Sequence, residues 1–369
     1  MISKTEFKAR RQKVLDYLMD ISGKKKQKAV FKSGQQKVFS NDVHYPFRVD
    51  SSFYYLTGFA EANAVCVLDP YADNPFTLYV EPFDVKHEIW DGYREGLEGA
   101  KKNFAADQSF DINEFKELSS ADLTDFVAAM RTIKSQAEIE LMRKSAQIAI
   151  QAHRVVAEMI TPGIYEYELE AALYQVFRQQ GANGWAYPAI VASGVNSCTL
   201  HYISNNKKIE KDDLILIDAG AEYEYYASDI TRVHAASGVM SQEQKDIYDL
   251  VLAAQEKAID SIKPGISFGE THDIAAAVIA EGLVDLKYMK DRHDVEELRK
   301  FYMHGTGHSI GMDVHDCGID KKTAKYVSGM VCTVEPGIYI KNKKIGVRIE
   351  DDILVTNDGF DNLTIGLAK

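Results

Sequence analysis

The amino-acid sequence predicts an α/β (α+β) protein with a smaller N-terminal α/β domain and a C-terminal domain of two pseudo-two-fold halves. The chain has 369 residues, more than one small hydrophobic core usually serves. Its character changes at Ser135, where short strand-like runs give way to long capped helices. A helix–Pro-Gly–helix junction then occurs twice. These observations place the domains at residues 1–130 and 135–369.

The N-terminal part mixes short strands with helices. Residues 1–19 form an amphipathic pattern that contains acids, so we expect a helix rather than a secretory or transit peptide. Strands are predicted at 29–31, 64–68 and 76–80, where β-branched and aromatic residues lie between turn residues. The basic run Lys24–Lys26 is expected to be a solvated loop.

The C-terminal part contains two pairs of predicted helices. Capping boxes at Ser135–Glu138 and Ser241–Gln244 each open a helix, and a Pro-Gly pair ends it. β-Rich sequence follows each helix pair, which favours a duplicated helix-pair-plus-hairpin unit. A common junction without duplication is the alternative. The four helices are predicted at 136–160, 167–180, 242–262 and from about 270.

Composition and charge limit the function classes. Lys and Arg total 43 and Asp and Glu total 55, which gives a net charge of −12. Such an acidic chain is a poor partner for nucleic acid or an anionic membrane, and no run reaches the roughly 18–20 apolar residues that cross a bilayer. The four cysteines form no Cys-x-x-Cys pair, which argues against a disulfide framework or a thiolate zinc site. We expect a cytoplasmic protein that holds cations.

Two aspartates follow strand-like sequence in the first half of the C-terminal part. The apolar run Leu214–Ile217 leads directly into Asp218, and Asp229 follows a tyrosine-rich reversal. If the chain folds back between Tyr223 and Glu224, Asp218 lies opposite Asp229, with Cβ atoms about 4.5–5.5 Å apart. Two anions at that distance repel each other unless a cation lies between them.

Two glutamates repeat this arrangement in the second half. The strand-like run Val331–Val334 ends at Glu335, and a later strand ends at Glu350. A reversal at Asn342-Lys343 places Glu335 opposite Glu350. Each acid alone is more often a turn or solvated residue. Two register-matched pairs are hard to explain in that way.

Two acid pairs with one histidine are the ligands that a two-metal site needs, with ions about 3.5–4 Å apart. A mainly oxygen donor set with one imidazole points first to Mn²⁺, with Co²⁺, Zn²⁺ or Fe²⁺ as alternatives. The histidine is expected in the segment His304–His308, whose glycines favour a loop over a metal-binding helix. Other histidines lack such a context and are expected to be surface or packed imidazoles: His44, His87, His153, His234 and His272.

Six motifs of the C-terminal part resemble, in order, those of the pita-bread metallopeptidases, which include methionine aminopeptidase, prolidase and aminopeptidase P. They are Leu216–Gly220, Ser228–Arg232, His304–His308, Asp313–Asp316, Glu335–Gly337 and Val347–Asp351. The resemblance implies a pita-bread fold with a dinuclear site. The implied metal ligands are Asp218, Asp229, His308, Glu335 and Glu350.

The resemblance also implies catalytic roles for neighbouring residues. His201 matches the substrate-side histidine, and His315 matches the histidine that steadies the tetrahedral intermediate or the leaving nitrogen. Arg348 matches an arginine that orients the ligands, and His304 should be a pocket wall. Glu335 is the expected proton acceptor, which passes the proton to the leaving prolyl nitrogen.

The N-terminal part of the chain narrows the resemblance, within the pita-bread metallopeptidases, to aminopeptidase P. Tyr45–Phe59 and Glu88–Gly92 resemble the N-terminal domain of aminopeptidase P, so the resemblance covers nearly the whole chain. In that family this domain supports oligomers, which implies a homo-oligomer, a dimer or a tetramer. Trp90 either reaches a neighbouring subunit or is a buried core residue. The histidine loop departs from close aminopeptidase P sequences, because Thr306 and Ser309 stand in a Gly-Thr-Gly-His-Ser pattern similar to that of prolidases.

The resulting hypothesis is a dinuclear-metal exopeptidase that releases the N-terminal residue from peptides with proline at the second position. The alternative within enzymes is a prolidase, which cleaves only Xaa-Pro dipeptides; the N-terminal domain argues against methionine aminopeptidase. The alternative from another class is a metal-free module that binds peptides. Intact ligands argue against that module, and against creatine-type amidinohydrolases.

Overall fold

The computed structural model describes residues 1–22, 26–317 and 323–369, so Lys24 and Lys25 of the basic run lie outside the described residues. The chain forms two compact units, Met1–Arg131 and Thr132–Lys369. Within the described ranges, no helix is both long and apolar enough to span a membrane.

The first unit is built on a four-stranded sheet of order β1-β4-β5-β6, in which only the β5–β6 pair is parallel. Its strands are β1 (Ala29–Lys32), β2 (Val38–Ser40), β3 (Val43–His44), β4 (Val65–Leu68), β5 (Phe76–Val80) and β6 (Gln108–Asp111). Its helices are α1 (Lys4–Ser22), α2 (Ser51–Thr57), α3 (Val85–Asp91), α4 (Gly96–Phe104) and α5 (Thr124–Thr132). The predicted N-terminal helix and the three predicted strands are confirmed to within a few residues.

Helix α3 carries Trp90, for which the sequence left open a buried core position and a contact with a neighbouring subunit. Trp90 is 86% exposed and its neighbour Ile89 is 78% exposed. The interpretation of Trp90 as a buried core residue is therefore wrong. Large aromatic side chains usually serve packing, so this degree of exposure is unusual for a tryptophan.

The second unit begins each half with two helices that pack on each other. They are α6 (Gln136–Met159) with α7 (Glu166–Gln179), and α8 (Gln242–Asp260) with α9 (Phe268–Asp285); the short α10 (Val295–Leu298) follows. Both predicted capping boxes are present. Ser135 and Glu138 close the first turn of α6 reciprocally, and Ser241 and Gln244 do the same for α8.

The strands repeat one order in the two halves. The first half contains β7 (Gly184–Trp185), β8 (Ile190–Ser193), β9 (Leu214–Asp218), β10 (Ala221–Tyr223), β11 (Tyr226–Ala227) and β12 (Thr231–Ala235). The second contains β13 (Val331–Val334), β14 (Gly337–Ile340), β15 (Ile345–Arg348), β16 (Asp351–Val355) and β17 (Phe360–Asn362). In each half a short hairpin interrupts an antiparallel pair: β10–β11 lies between β9 and β12, and β14–β15 between β13 and β16. This repeated order supports the duplicated unit.

The predicted register is correct in one half and wrong in the other. Val334 pairs with Asp351 and Gly337 with Arg348, as a reversal at Asn342-Lys343 requires. In the first half Asp218 pairs with Thr231 rather than with Asp229. The turn lies one residue later than predicted, at Glu224-Tyr225, where both residues have positive φ. A two-residue slip keeps side chains on the same face, so Asp229 becomes a diagonal neighbour of Asp218.

Strand β9 lies between two layers of helices. Ile215 and Ile217 pack in one core cluster with residues of α6 and α7, whereas Leu214 and Leu216 pack in another with residues of α8 and α9. Burial on both faces explains why the strand is continuously apolar. Each such side chain contributes about 1.5–3 kcal/mol through the hydrophobic effect. Asp218, the last residue of this strand, is therefore positioned by a tightly held backbone.

Candidate active site

Four carboxylates occupy equivalent junctions in the two halves of the second unit. Asp218 ends β9 and Asp229 precedes β12, so these two flank the hairpin β10–β11. Glu335 follows β13 and Glu350 precedes β16, so these flank the hairpin β14–β15. All four line one cavity of about 420 Å³. The duplicated topology thus brings both predicted acid pairs to a single site.

Tyr187 joins the two aspartates. Its hydroxyl lies 2.6 Å from a carboxylate oxygen of Asp218 and also contacts Asp229. One hydrogen can be donated to only one of these oxygens at a time. Burial and the nearby Asp218, Asp229 and Glu350 charges raise the pKa of Tyr187 well above its usual value, so the hydroxyl keeps its proton.

Thr231 and Arg348 tie the halves together around the acids. The Thr231 hydroxyl donates to Glu350 at 2.6 Å, and the Glu350 N–H donates to the Thr231 carbonyl at 3.2 Å. The buried Arg348 guanidinium donates to Asp218 at 2.6 Å and to the Tyr339 hydroxyl at 3.0 Å. Arg348 thus neutralises one acid and orients it, which suits the predicted role of this residue.

The cavity concentrates negative charge. Burial, reinforced by the neighbouring Asp218, Asp352 and Glu335, raises the pKa of Asp229 well above its ordinary value. Burial and the charges of Asp229, Glu335 and Asp218 do the same for Glu350. Like charges confined in a site of low dielectric constant are costly unless protons or cations join them. The electrostatics of the site therefore favour a bound cation.

His308 directs its Nε2 atom at this charge. Its Nδ1 lies 3.1 Å from the Ser309 carbonyl oxygen, which can only accept, so in the neutral ring Nδ1 carries the hydrogen. Nε2 then faces carboxylate oxygens of Asp229 at 3.4 Å and Glu335 at 3.8 Å. A metal ion placed between Nε2 and these two carboxylates would be ligated by all three side chains.

The donor set passes a geometric test for a metal site. Within the parts of the chain that the structure describes, Asp229, His308 and Glu350 form a group whose donor atoms all lie within 4.8 Å of one another. All three side chains are buried. Carboxylate oxygens with one imidazole suit a divalent ion such as Mn²⁺, Co²⁺, Zn²⁺ or Fe²⁺.

The remaining predicted histidines also line the cavity. His304 has Nδ1 2.7 Å from the Gly305 carbonyl and Nε2 2.8 Å from the Tyr339 hydroxyl. Burial and the Arg348 charge lower the pKa of His304 to about 4, so it is neutral. The ring of His315 lies 4.4 Å from that of His308, edge to face. His201 is exposed on an irregular segment after β8.

One residue of the site was not predicted from the sequence. Tyr187 follows no pattern, since a lone aromatic before a strand usually indicates packing. His272, expected to be a surface or packed imidazole, is half-buried, and its Nδ1 lies 2.9 Å from the Thr306 hydroxyl. It lines a neighbouring cavity rather than the one that the four carboxylates line.

Family models match both units. Residues 140–357 match metallopeptidase family M24, and residues 7–126 match the aminopeptidase P N-terminal domain. A Haemophilus influenzae Xaa-Pro aminopeptidase is 36% identical, covering 100% of this chain and 96% of the relative. The Escherichia coli Xaa-Pro aminopeptidase is 34% identical with the same coverage.

Solved structures that resemble this chain are also aminopeptidases P. Pseudomonas aeruginosa aminopeptidase PepP has a TM-score of 0.93 and 37% identity, covering 100% of this chain and 96% of that chain. A variant of Escherichia coli aminopeptidase P in complex with substrate has a TM-score of 0.92 and 33% identity, with the same coverage. The resemblance read from the motifs and the pita-bread fold class are confirmed. The chain therefore belongs to metallopeptidase family M24 and carries an aminopeptidase P N-terminal domain, which makes it a metal-dependent exopeptidase.

Proposed function

We propose that this exopeptidase releases the first residue from peptides with proline at the second position. The observation that carries the proposal is the convergence of four carboxylates and the Nε2 atom of His308 on one cavity. Relatives that match the whole chain are named Xaa-Pro aminopeptidases, which supports the same substrate class.

We propose two divalent metal ions in this cavity, Mn²⁺ first. Four carboxylates and one imidazole offer more donors than a single four-coordinate ion needs. The proposed ligands are Asp218, Asp229, His308, Glu335 and Glu350. When bound, the ions supply a Lewis acid for the scissile carbonyl and an activated water as nucleophile.

Glu335 is the residue we assign to proton transfer. Its carboxylate is 20% exposed, more than that of Asp218 or Asp229, so it can exchange protons with substrate. One of its oxygens lies 3.9 Å from Nδ1 of His304 and the other 3.8 Å from Nε2 of His308. As general base it takes the proton of the attacking water, and as general acid it returns that proton to the prolyl nitrogen.

His201 and His315 are assigned to the developing negative charge on the substrate. Both line the cavity, and their N–H groups donate hydrogen bonds that strengthen as the tetrahedral centre forms. The free amino group of the peptide is attracted by the excess of carboxylates, which fixes the site as one for amino-terminal residues. Apolar lining contacts the first side chain and the proline ring: Pro188, Ile190, Leu200 and Val314.

We also propose that the chain acts as a homo-oligomer, a dimer or a tetramer, in the cytoplasm. The exposure of Trp90 and Ile89 on the first unit supports a self-associating surface. Light scattering of wild-type protein and of Trp90→Ala tests it: we expect one defined assembly for wild type and a smaller species for the variant. A monomeric wild type contradicts this part of the proposal.

The substrate assignment is tested with protein stripped of metal and reloaded with Mn²⁺. We expect release of Xaa from an Xaa-Pro-Yaa tripeptide, with much slower hydrolysis of the Xaa-Pro dipeptide and of an Xaa-Ala-Yaa control. Turnover of the dipeptide alone would identify an Xaa-Pro dipeptidase. No turnover of either peptide by metal-loaded protein would show that the substrate class is wrong.

A further inference from the structure

Glu166 is a buried carboxylate that the site described above does not use. It is the first residue of α7 and is 0% exposed. Five donors surround it. One carboxylate oxygen accepts from the Ser193 N–H at 2.7 Å, from the Ser193 hydroxyl at 2.7 Å and from the Asn196 amide at 3.2 Å. The other oxygen accepts from the Tyr202 hydroxyl and from the Lys207 N–H, each at 2.8 Å. Such a fully bonded carboxylate is a rigid anchor.

The capping of α7 does not explain this anchor. The helix start is already closed by Glu168, whose carboxylate accepts from the Tyr165 N–H at 2.8 Å. Instead, all donors to Glu166 lie between Ser193 and Lys207. The helix dipole favours a negative charge at this end of α7, which makes it a suitable place for the carboxylate.

The segment between Ser193 and Lys207 carries His201. A turn of 3₁₀ helix, Gly194–Cys198, begins it, and the following residues form no strand. Asn205 fixes its far end, because its side chain donates to the Ala189 carbonyl at 2.9 Å and accepts from the Val191 N–H at 2.9 Å. Both ends of the segment are therefore held against the first half, with His201 between them.

Tyr202 connects the anchor to the catalytic side of the segment. It directly follows His201, and its hydroxyl donates to Glu166. Within residues 1–22, 26–317 and 323–369, the His201 imidazole has no hydrogen-bond partner. The place of this imidazole is therefore set by its own backbone, which the Tyr202–Glu166 bond holds.

We infer that Glu166 is a positioning residue that acts through Tyr202 to hold His201 in place over the cavity. The catalytic meaning of this inference rests on the proposed function, in which His201 stabilises the tetrahedral centre. The claim that Glu166 fixes the position of the His201 imidazole does not rest on the proposed function, because it concerns only where the ring lies.

The kinetic test compares Tyr202→Phe and Glu166→Gln with wild type on the Xaa-Pro-Yaa peptide. We expect kcat to fall about 5–10-fold for Tyr202→Phe and about 30-fold for Glu166→Gln, since misplacing a catalytic group by about 1 Å costs up to about 10²-fold. KM should stay within about 2-fold, because the His201 contact is made mainly in the transition state. In a His201→Ala background, each change should cost less than about 2-fold.

Matched controls separate positioning from general damage. Tyr288→Phe removes another tyrosine–glutamate bond, of 2.8 Å to Glu243, away from the cavity. Glu138→Gln alters another buried glutamate at a helix start, which accepts from Tyr226. We expect both to keep kcat within about 2-fold of wild type, as substitutions without a common partner act independently of His201. Additive losses in the His201→Ala background would overturn the inference.

Crystal structures of Tyr202→Phe and Tyr288→Phe provide a readout that needs no activity. We expect a displaced or multiply placed His201 in the first variant and an unchanged one in the second. An unmoved His201 in both Tyr202→Phe and Glu166→Gln overturns the inference, whatever the kinetics. Conversely, a displaced His201 in a protein that cleaves no Xaa-Pro-Yaa peptide upholds the inference and contradicts the proposed function.

Discussion

The two halves of the second unit place their acids at the same junctions but hold them differently. In the first half, Asp218 and Asp229 have short side chains, and one Tyr187 hydroxyl contacts both. In the second half, Glu335 and Glu350 have longer side chains, and Glu335 is 20% exposed. The shared topology thus fixes where the charge lies. On the proposed function, the buried Asp218 and Asp229 serve rigid holding and the more exposed Glu335 serves proton exchange.

The imidazoles do not follow this symmetry. His304, His308 and His315 lie on loops of the second half, whereas His201 lies on a segment of the first half that Glu166 anchors. Acids on strand ends inherit their positions from the sheet register. Imidazoles on loops need separate supports, such as the Ser309 carbonyl for His308 and the Tyr339 hydroxyl for His304, and no periodic pattern in the sequence predicts these contacts.

The largest effect should come from exchanging one acid in each half. We expect Asp229→Asn to lose bound Mn²⁺ and all measurable activity, because it removes a buried carboxylate that we propose as a metal ligand. Glu335→Gln should retain more metal while losing about 10²–10⁴-fold in kcat, the usual contribution of a general acid–base group. Elemental analysis beside steady-state kinetics checks this. Equal metal retention in both variants would contradict the proposal that Asp229 mainly holds metal and Glu335 mainly transfers protons.

The next prediction concerns two glycines, each two residues after an acid. A Cβ at Gly220 would overlap the backbone carbonyl oxygen of Ser228. A Cβ at Gly337 would first meet the Tyr339 hydroxyl at 2.5 Å and then the Val347 carbonyl oxygen at 2.9 Å. We expect Gly220→Ala to cost about 3 kcal/mol of unfolding free energy and Gly337→Ala about 1–2 kcal/mol, because a side chain can move where a backbone cannot. Urea unfolding measures both, and the reverse order would show that the second hairpin is the more rigid.

A smaller effect is expected from removing the hydroxyl that serves the acids of each half. Tyr187→Phe takes the shared hydroxyl from Asp218 and Asp229, and Thr231→Val takes the donor from Glu350. We expect about 10–100-fold weaker Mn²⁺ binding in each, the usual effect of losing a group that orients a metal ligand. Isothermal titration with Mn²⁺ tests this. An unchanged affinity for Tyr187→Phe would mean that the tyrosine merely fills space.

The smallest effect concerns an ion pair that joins the halves. Asp351 on β16 accepts from Arg232 on β12 at 2.7 Å and lies 3.0 Å from the Lys369 ammonium. Burial alone would raise the pKa of Asp351, but Arg232 and Lys369 hold it at about 2. Because this pKa is below that of an unfolded aspartate, the stabilisation is present above about pH 4 and is lost as the pH falls towards 2.

Lys369→Met tests this pair without leaving Asp351 alone, since Arg232 remains. We expect the variant to lose about 1 kcal/mol of unfolding free energy at pH 6 and less at pH 3, measured by urea unfolding. Lys245→Met, which removes an exposed pair with Asp249, is the control and should change stability by less than about 0.5 kcal/mol. A loss that is equal at both pH values would contradict the assigned role of Asp351.

The sequence analysis predicted the fold best where local signals were strong. Capping boxes placed α6 and α8, and the turn at Asn342-Lys343 gave the correct register of the second half. The first register was wrong because Glu224 and Tyr225 both adopt positive φ, which residue type alone did not suggest. Tyr187 was missed because its contacts with Asp218 and Asp229 join segments far apart in the chain.

The burial of strand β9 on both faces has a consequence for attempts to express the two halves of the second unit separately. A chain of only the first half would expose Leu214 and Leu216, whose packing partners belong to α8 and α9. We expect separately expressed halves to be insoluble alone and to reassemble when mixed, with β9 as the common surface.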